Sequence, residues 1–349
     1  MELNSKIYIA GHNGLIGSAI FLELKKRGYN NLIVRSHSEL DLTNELNVDS
    51  FFERNKPEYV FLCAAYVGGI GANKTYPADF LMRNLSIEYN IIRNCHKYGC
   101  SLLFLGSTCI YPKSVQDRVS PMREEDLLTS DLDTSNEGYA IAKITGLKMV
   151  ELYRKQYGDK FMSVMPTNLY GPNDKYDIDN SHVLPSIILK LQLSEYLKSC
   201  SFDKIRSLIK RDLHTDELIK YLNDKGIYDD GVVFWGTGDP MREFLFSQDC
   251  AKACINLLEK YDDLELPERN CHINIGNPNQ RVSIRDLVKR ISFLMDYSGR
   301  VFFTLNSELN GTLTKYVDSN RLHELLGGFN YTPFNESLMI AIKDFRSKL

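Results

Sequence analysis

Tyr139 and Lys143 lie four residues apart in Glu137-Gly138-Tyr139-Ala140-Ile141-Ala142-Lys143. The stretch reads as the opening of a helix that continues through Leu147, Val150 and Tyr153, so both side chains share one face, a turn apart. A free phenol titrates at about 10 and is a poor acid or base at neutral pH. A neighbouring ammonium favours the phenolate and brings that value down towards a useful range. The pair is therefore a candidate proton donor with a cationic helper. Tyr-x-x-x-Lys is also an ordinary exposed pattern, so its meaning depends on what else the chain supplies.

Two further stretches supply it. Lys6–Ala10 is a short apolar strand, followed at once by Gly11-His12-Asn13-Gly14-Leu15-Ile16-Gly17 and an amphipathic helix from Ser18 to Arg27. Strand, glycine turn and helix form the setting a dinucleotide fingerprint requires. Gly11 permits the tight turn, Gly14 lets backbone approach a pyrophosphate, and Gly17 lets helix pack on strand. Ser107 follows the apolar run Ser101–Leu105, and a hydroxyl at the carboxyl end of a parallel strand sits where open α/β sheets place their ligands. Ser107 as a mere cap is the plainer alternative. After the second strand comes Arg35-Ser36-His37 where an NAD enzyme has an acidic residue, so a ribose 2′-phosphate, and hence NADPH, is favoured. Asp41 and Leu42 could flank the adenine. Ala64 and Ala65, opening a glycine-rich stretch to Gly71, would let backbone approach the cofactor.

The elements that must position these groups alternate. Strands are expected at 31–34, 59–63, 101–105 and 161–165, with helices at 48–54 and 77–98 and from Tyr139. That pattern predicts an α/β fold with a Rossmann-type, doubly wound parallel sheet. From Pro166 the pattern changes to a Pro/Gly-punctuated loop. A smaller mixed α/β region follows, with strands near 232–235, 271–275 and 301–303 and helices at 247–260, 283–295 and the C-terminus. The stretch 191–230 is polar and helix-prone, without an assignable role.

The chain has 349 residues, 43% hydrophobic and 25% charged, as expected of a soluble globular protein with ample core. A formal charge of −3 leaves no basic footprint for nucleic acid. No apolar run reaches the roughly 18 residues of a membrane span, and no signal-peptide core precedes the first strand, so a cytoplasmic location is expected. The eight cysteines form no Cys-x-x-Cys pair and read as small buried residues, Cys250 and Cys254 included, with no metal site.

Taken together, these residues resemble the extended short-chain dehydrogenase/reductases, and within them the GDP-L-fucose synthase family. The matching stretches include Val67-Gly68-Gly69-Ile70, Thr75 to Phe80, Gly106-Ser107 with Cys109-Ile110-Tyr111-Pro112, Tyr139 to Lys143, Met165 to Pro172, Asn180 to Val183 and Pro240 to Phe244. The resemblance implies that Ser107, Tyr139 and Lys143 are the reductase triad. It makes Cys109 and His182 the acid–base pair for epimerisation at C3 and C5 of a GDP-4-keto-6-deoxy sugar. NADP would be held by the glycine turn (Gly11, Asn13, Gly14, Leu15, Ile16, Gly17), by Arg35, Asp41, Leu42, Ala64 and Ala65, and by Tyr139, Lys143, Pro166, Asn168, Leu169 and His182. Thr108, Asn168, Lys190, Trp235, Arg242 and Lys315 would hold the GDP-sugar. Residues 1–166, with returning segments near 232–275, would form the NADP-binding domain, and 167–231 with 276–349 the substrate domain. A homodimer through the 77–98 and 139–157 helices is implied as well.

The chain departs from the family at several of these places. Thr108 stands for a second Ser, Gly138 for a Pro, Tyr66 for a Lys, and Asn13 and His37 for arginines that grip the 2′-phosphate. The 191–230 stretch is longer than its counterpart. A C4 reductase without epimerase activity, acting on a related sugar such as a 6-deoxy-heptose, therefore stays open, although the presence of Cys109 and His182 argues against it. Cys109 as packing and His182 as a capping or core histidine are the plainer readings. A 4,6-dehydratase would carry Asp-Glu after the Ser/Thr, where this chain has Cys109-Ile110. A 4-epimerase would retain NAD, and a non-catalytic nucleotide sensor would need no triad.

Overall fold

Period-two alternation with apolar side chains on both faces marks a strand covered from both sides. The run Ile7–Ala10 sends Ile7 and Ile9 into one core and Tyr8 and Ala10 into another. The computed structural model, which describes residues 1–116 and 118–349, resolves this pattern into a three-layer architecture.

In chain order the first half is β1 (Ile7–Ala10), α1 (Leu15–Lys26), β2 (Leu32–Ile33), α2 (Glu45–Asn55), β3 (Tyr59–Leu62), α3 (Ile70–Thr75), α4 (Pro77–Tyr98), β4 (Ser101–Leu105), α5 (Lys113–Gln116), α6 (Glu137–Tyr157) and β5 (Phe161–Pro166). It continues with β6 (Asn168–Tyr170), α7 (Val183–Lys198), α8 (Phe202–Ile209), α9 (Thr215–Asp224), β7 (Gly231–Phe234), β8 (Met241–Phe246), α10 (Ser247–Glu259) and β9 (Ile273–Ile275). The last elements are β10 (Arg281–Ser283), α11 (Ile284–Leu294), β11 (Arg300–Phe303), β12 (Thr314–Lys315), α12 (Asn320–Leu326) and α13 (Phe334–Arg346).

Six strands form one sheet in the order β2-β1-β3-β4-β5-β9, all parallel. One face (Val60, Leu62, Leu102, Phe104, Phe161) packs on α2, α4 and α6. The other (Phe61, Leu103, Leu105, Met162, Val164) packs on α1, α10 and α12, and buries Cys250 and Cys254. The strand order reverses between β1 and β3, and ligands of open α/β sheets bind outside the carboxyl ends at such a point.

The helix at 77–98 has the limits expected from sequence, because Pro77 opens it and Gly99, left-handed at φ 69°, closes it. The glycine-rich stretch after Ala65 winds into α3 from Ile70. Asn73 Nδ2 donates to the Gly68 and Gly69 carbonyls and fixes that turn.

The remaining elements gather around a third core formed by α7, α8, α9, β7, β8, α11 and α13. Here β8 pairs antiparallel with β10 and parallel with β6 and β12. The strand expected near 232–235 is β7, which pairs with β11 apart from the six-stranded sheet. The 191–230 stretch extends α7 and then forms α8 and α9, whose Ile205, Leu218 and Leu222 are buried in this core.

Candidate active site

A cavity of about 1300 Å³ opens at the carboxyl ends of β1, β3, β4 and β5. Its floor is the glycine turn. Gly11 has φ +89°, and a Cβ there would stand 2.7 Å from the Ala64 amide nitrogen. A Cβ on Gly17 would overlap the Gly11 carbonyl. Turn, β3 end and α1 therefore meet with no room for side chains, leaving backbone exposed to a pyrophosphate at the start of α1. This cradle, with Gly14, Leu15, Ile16, Gly17, Arg35, Asp41, Leu42, Ala64, Ala65, Pro166 and Leu169 on the cavity wall, fits a dinucleotide phosphate cofactor. Asn13 is exposed and does not line the cavity.

The chemical groups face the same space. Ser107, Thr108, Cys109, Tyr139, Lys143, Asn168, His182, Arg242 and Lys315 all line it. Ser107 leaves β4 in extended conformation, and its Oγ accepts from the Cys109 amide at 3.2 Å. With that lone pair engaged, the hydroxyl proton is free to be donated. Lys315 Nζ stands 3.8 Å from Cys109 Sγ. Asn168 Nδ2 donates to the Glu243 carbonyl at 2.8 Å, fixing β6 against β8.

Electrostatics correct one expectation. Burial pushes the Tyr139 phenol up from its ordinary value, with Cys109 and then Glu88 acting in the same direction. The Lys143 ammonium stands 3.2 Å from Glu88 Oε1 and donates to the Leu105 carbonyl at 3.1 Å. His182 occupies the N-cap of α7 without making a capping hydrogen bond. Its ring touches solvent in the cavity, yet the surrounding protein desolvates it and lowers its pKa below the usual 6.5. Burial also lowers Arg242, which has no carboxylate in ion-pair contact among the described residues. A half-buried guanidinium without a carboxylate partner on a cavity wall suits an anionic ligand.

Two residues expected at the substrate, Lys190 and Trp235, do not line this cavity. Lys190 Nζ donates to the Lys225 carbonyl at 2.8 Å and sits 5.7 Å from the Trp235 ring, outside the cavity lining. Burial, then the Lys225 charge, pulls Lys190 down to about 8. Trp235 is 68% exposed. The acceptor of Lys190 belongs to the 191–230 stretch, whose role the sequence left blank. The cavity also takes in Arg83, Lys113, Gln116 and the 309–312 loop, which sequence reading missed. Arg83 lies on the helix face of Met82 and Ser86, a polar stretch with no motif to single it out.

Comparison with known proteins agrees with this geometry. The model of the NAD dependent epimerase/dehydratase family matches residues 7–276. GDP-L-fucose synthase 1 of Arabidopsis thaliana is 42% identical over 325 residues, 93% of this chain and 88% of that protein. A GDP-6-OMe-4-keto-L-xylo-heptose reductase from Campylobacter jejuni is 34% identical, with a TM-score of 0.92 over 100% of this chain and 99% of that one. A GDP-D-glycero-L-gluco-heptose synthase of the same organism, crystallised in the presence of NADPH, is 34% identical, with a TM-score of 0.90 over 99% of both chains.

Proposed function

Since the chain belongs to the NAD dependent epimerase/dehydratase family, we propose that it reduces the C4 ketone of a GDP-4-keto-6-deoxy sugar with NADPH, after epimerisation at C3 and C5. It is an NADP-dependent oxidoreductase. The observation that carries the proposal is the convergence of Ser107, Cys109, Tyr139, Lys143 and His182 on the cavity that the glycine turn floors.

The division of labour follows from the chemistry of each group. NADPH supplies a hydride to C4. The C4 ketone acidifies the hydrogens on C3 and C5, and Cys109 and His182 remove and return those protons. A histidine with a lowered pKa is neutral at pH 7 and ready to accept one. Ser107 donates its hydroxyl to the sugar oxygen as negative charge develops there. Tyr139, kept protonated by burial, then gives its proton to that oxygen. Lys143 holds the nicotinamide ribose. Arg242, with Lys315, meets the sugar diphosphate, while the glycine turn and Arg35 hold the cofactor phosphates.

Incubation with GDP-4-keto-6-deoxymannose and NADPH in deuterated water tests the proposal. Label at C3 and C5 of an L-configured product is expected, and NADPH left unconsumed rejects the reading. A second reading, C4 reduction alone on a GDP-4-keto-heptose, is favoured by the TM-score of 0.92 to the heptose reductase. Reduced product without label at C3 and C5 selects it.

We assign NADP to residues 1–166 with the returning segments near 232–275, and the sugar to 167–231 and 276–349. No helix among the described residues is long and apolar enough to cross a membrane, and we place the enzyme in the cytoplasm. Exposed Tyr89 on α4 and Leu152 and Tyr157 on α6 support a homodimer through a bundle of these helices.

A further inference from the structure

We propose that Glu88 is a positioning residue of the reductase site: its carboxylate orients Lys143 and offsets the ammonium charge, so that Tyr139 meets the sugar ketone as a protonated phenol. The inference rests on the reading of Tyr139 and Lys143 as the reductase pair.

Glu88 lies in the middle of α4, on the buried stripe Phe80, Asn84, Glu88 and Ile92. A carboxylate there is costly unless a charge answers it. Lys143 Nζ answers it at 3.2 Å, with the two side chains only 1% and 2% exposed. Three features build a seat for the pair. The Leu105 carbonyl at the end of β4 accepts from Lys143, and the Phe104 ring lies 4.7 Å from Nζ. On α6, Gly146 stands opposite the carboxylate, and a Cβ there would come within 2.6 Å of Glu88 Oε2. The glycine thus makes room for a buried acid one turn after the lysine.

The consequence is electrostatic. Opposite charges a few ångströms apart largely cancel at a third group, so a paired lysine stabilises a phenolate far less than a free one does. The groups facing Tyr139 are Glu88 from α4, Lys143 from α6 and Cys109 from the end of β4. Those facing Lys143 are Glu88 and, from the end of β3, Cys63, whose thiol burial pushes up. Burial pushes the Glu88 carboxyl upward too, and Lys143 acts against it. A reductase needs its tyrosine as an acid, and the ion pair favours that form.

The test is single-turnover oxidation of NADPH by the full-length protein with GDP-4-keto-6-deoxymannose, across roughly pH 6 to 10. In Glu88→Gln the uncompensated lysine lowers the phenol. An alkaline loss of rate is expected to appear within that range, where the parent shows none, and Glu88→Asp to restore the parent profile. A parent-like profile in folded Glu88→Gln overturns the proposal, since a purely structural role changes stability and leaves the profile in place. Should Glu88→Gln fail to fold, Glu88→Ser serves with the same two outcomes. Tyr139→Phe, run in parallel, separates the two layers: parent-like reduction by that variant overturns the reading of the triad itself.

Discussion

Asp179 and Lys225 form an ion pair, Oδ1 to Nζ 2.5 Å, that ties the 191–230 stretch to the loop carrying His182. Arg211 Nη2 adds a 2.9 Å contact to Oδ2 of the same aspartate, and the Tyr221 hydroxyl a 3.2 Å hydrogen bond. Lys225 also receives Lys190 through its carbonyl. One carboxylate three residues before His182 therefore anchors a segment for which sequence reading found no role.

Asp179→Asn should loosen that anchor. The pair is partly exposed, so the stability cost is at most about 1 kcal/mol. The functional effect should exceed it, as slower deuterium exchange into the sugar with NADPH affinity unchanged. Hydrogen bonding from Lys225, followed by its charge, holds the Asp179 carboxyl below its usual 3.8. A depressed carboxylate stabilises the fold above its unfolded value and loses that contribution as pH falls through the folded one. The anchor is thus fully present at neutral pH and lost only in strong acid. Unchanged exchange in Asp179→Asn would make the contact a surface tie without bearing on His182.

Tyr139→Phe should lower hydride transfer roughly 100- to 10,000-fold, the usual worth of a positioned acid. NADPH binding, read by fluorescence titration, should persist, because the cavity floor is backbone. With the phenol raised by burial, the parent should hold its reduction rate well into alkaline pH.

The sheet was legible because its strands announce themselves locally: apolar runs such as Ser101–Leu105, and helices punctuated by Pro77 and Gly99. The convergence of Ser107, Tyr139 and Lys143 on one cavity was legible for the same reason, each being the marked residue of a local motif. What escaped depends on distant partners. Glu88 reads as a solvated charge in a helix, although its four-residue steps from Phe80 and Asn84 place it on the buried stripe. Lys190 was expected at the GDP-sugar, and its hydrogen bond to the Lys225 carbonyl, 35 residues on, leaves no local signal. The 309–312 loop reaches the cavity with residues that carry no motif.

Cys109→Ser and His182→Asn should each stop solvent deuterium from entering C3 and C5, while C4 reduction of an already epimerised substrate continues. His182 has a sign of its own. Desolvation lowers its pKa, so the neutral base persists below pH 6.5, and its proton abstraction should fall only as pH drops through that lowered value. An acidic limb of exchange at or above 6.5 would point to a different base.

Arg35→Ala should weaken NADPH more than NADH. Arg35 lines the cavity next to His37 and Asp41, and no carboxylate pairs with its guanidinium among the described residues. Asp41, the nearby acid that could have favoured ribose hydroxyls, already accepts from the Thr43 amide at 2.9 Å and hydroxyl at 2.8 Å. That leaves Arg35 as the cation for a 2′-phosphate, a contact worth roughly 1.5–3 kcal/mol, or about 10- to 100-fold in affinity. Because Arg35 is exposed, added salt should shrink the difference. Titration of both cofactors into parent and variant at two ionic strengths checks both points. Equal losses for NADPH and NADH would leave the phosphate preference without its residue.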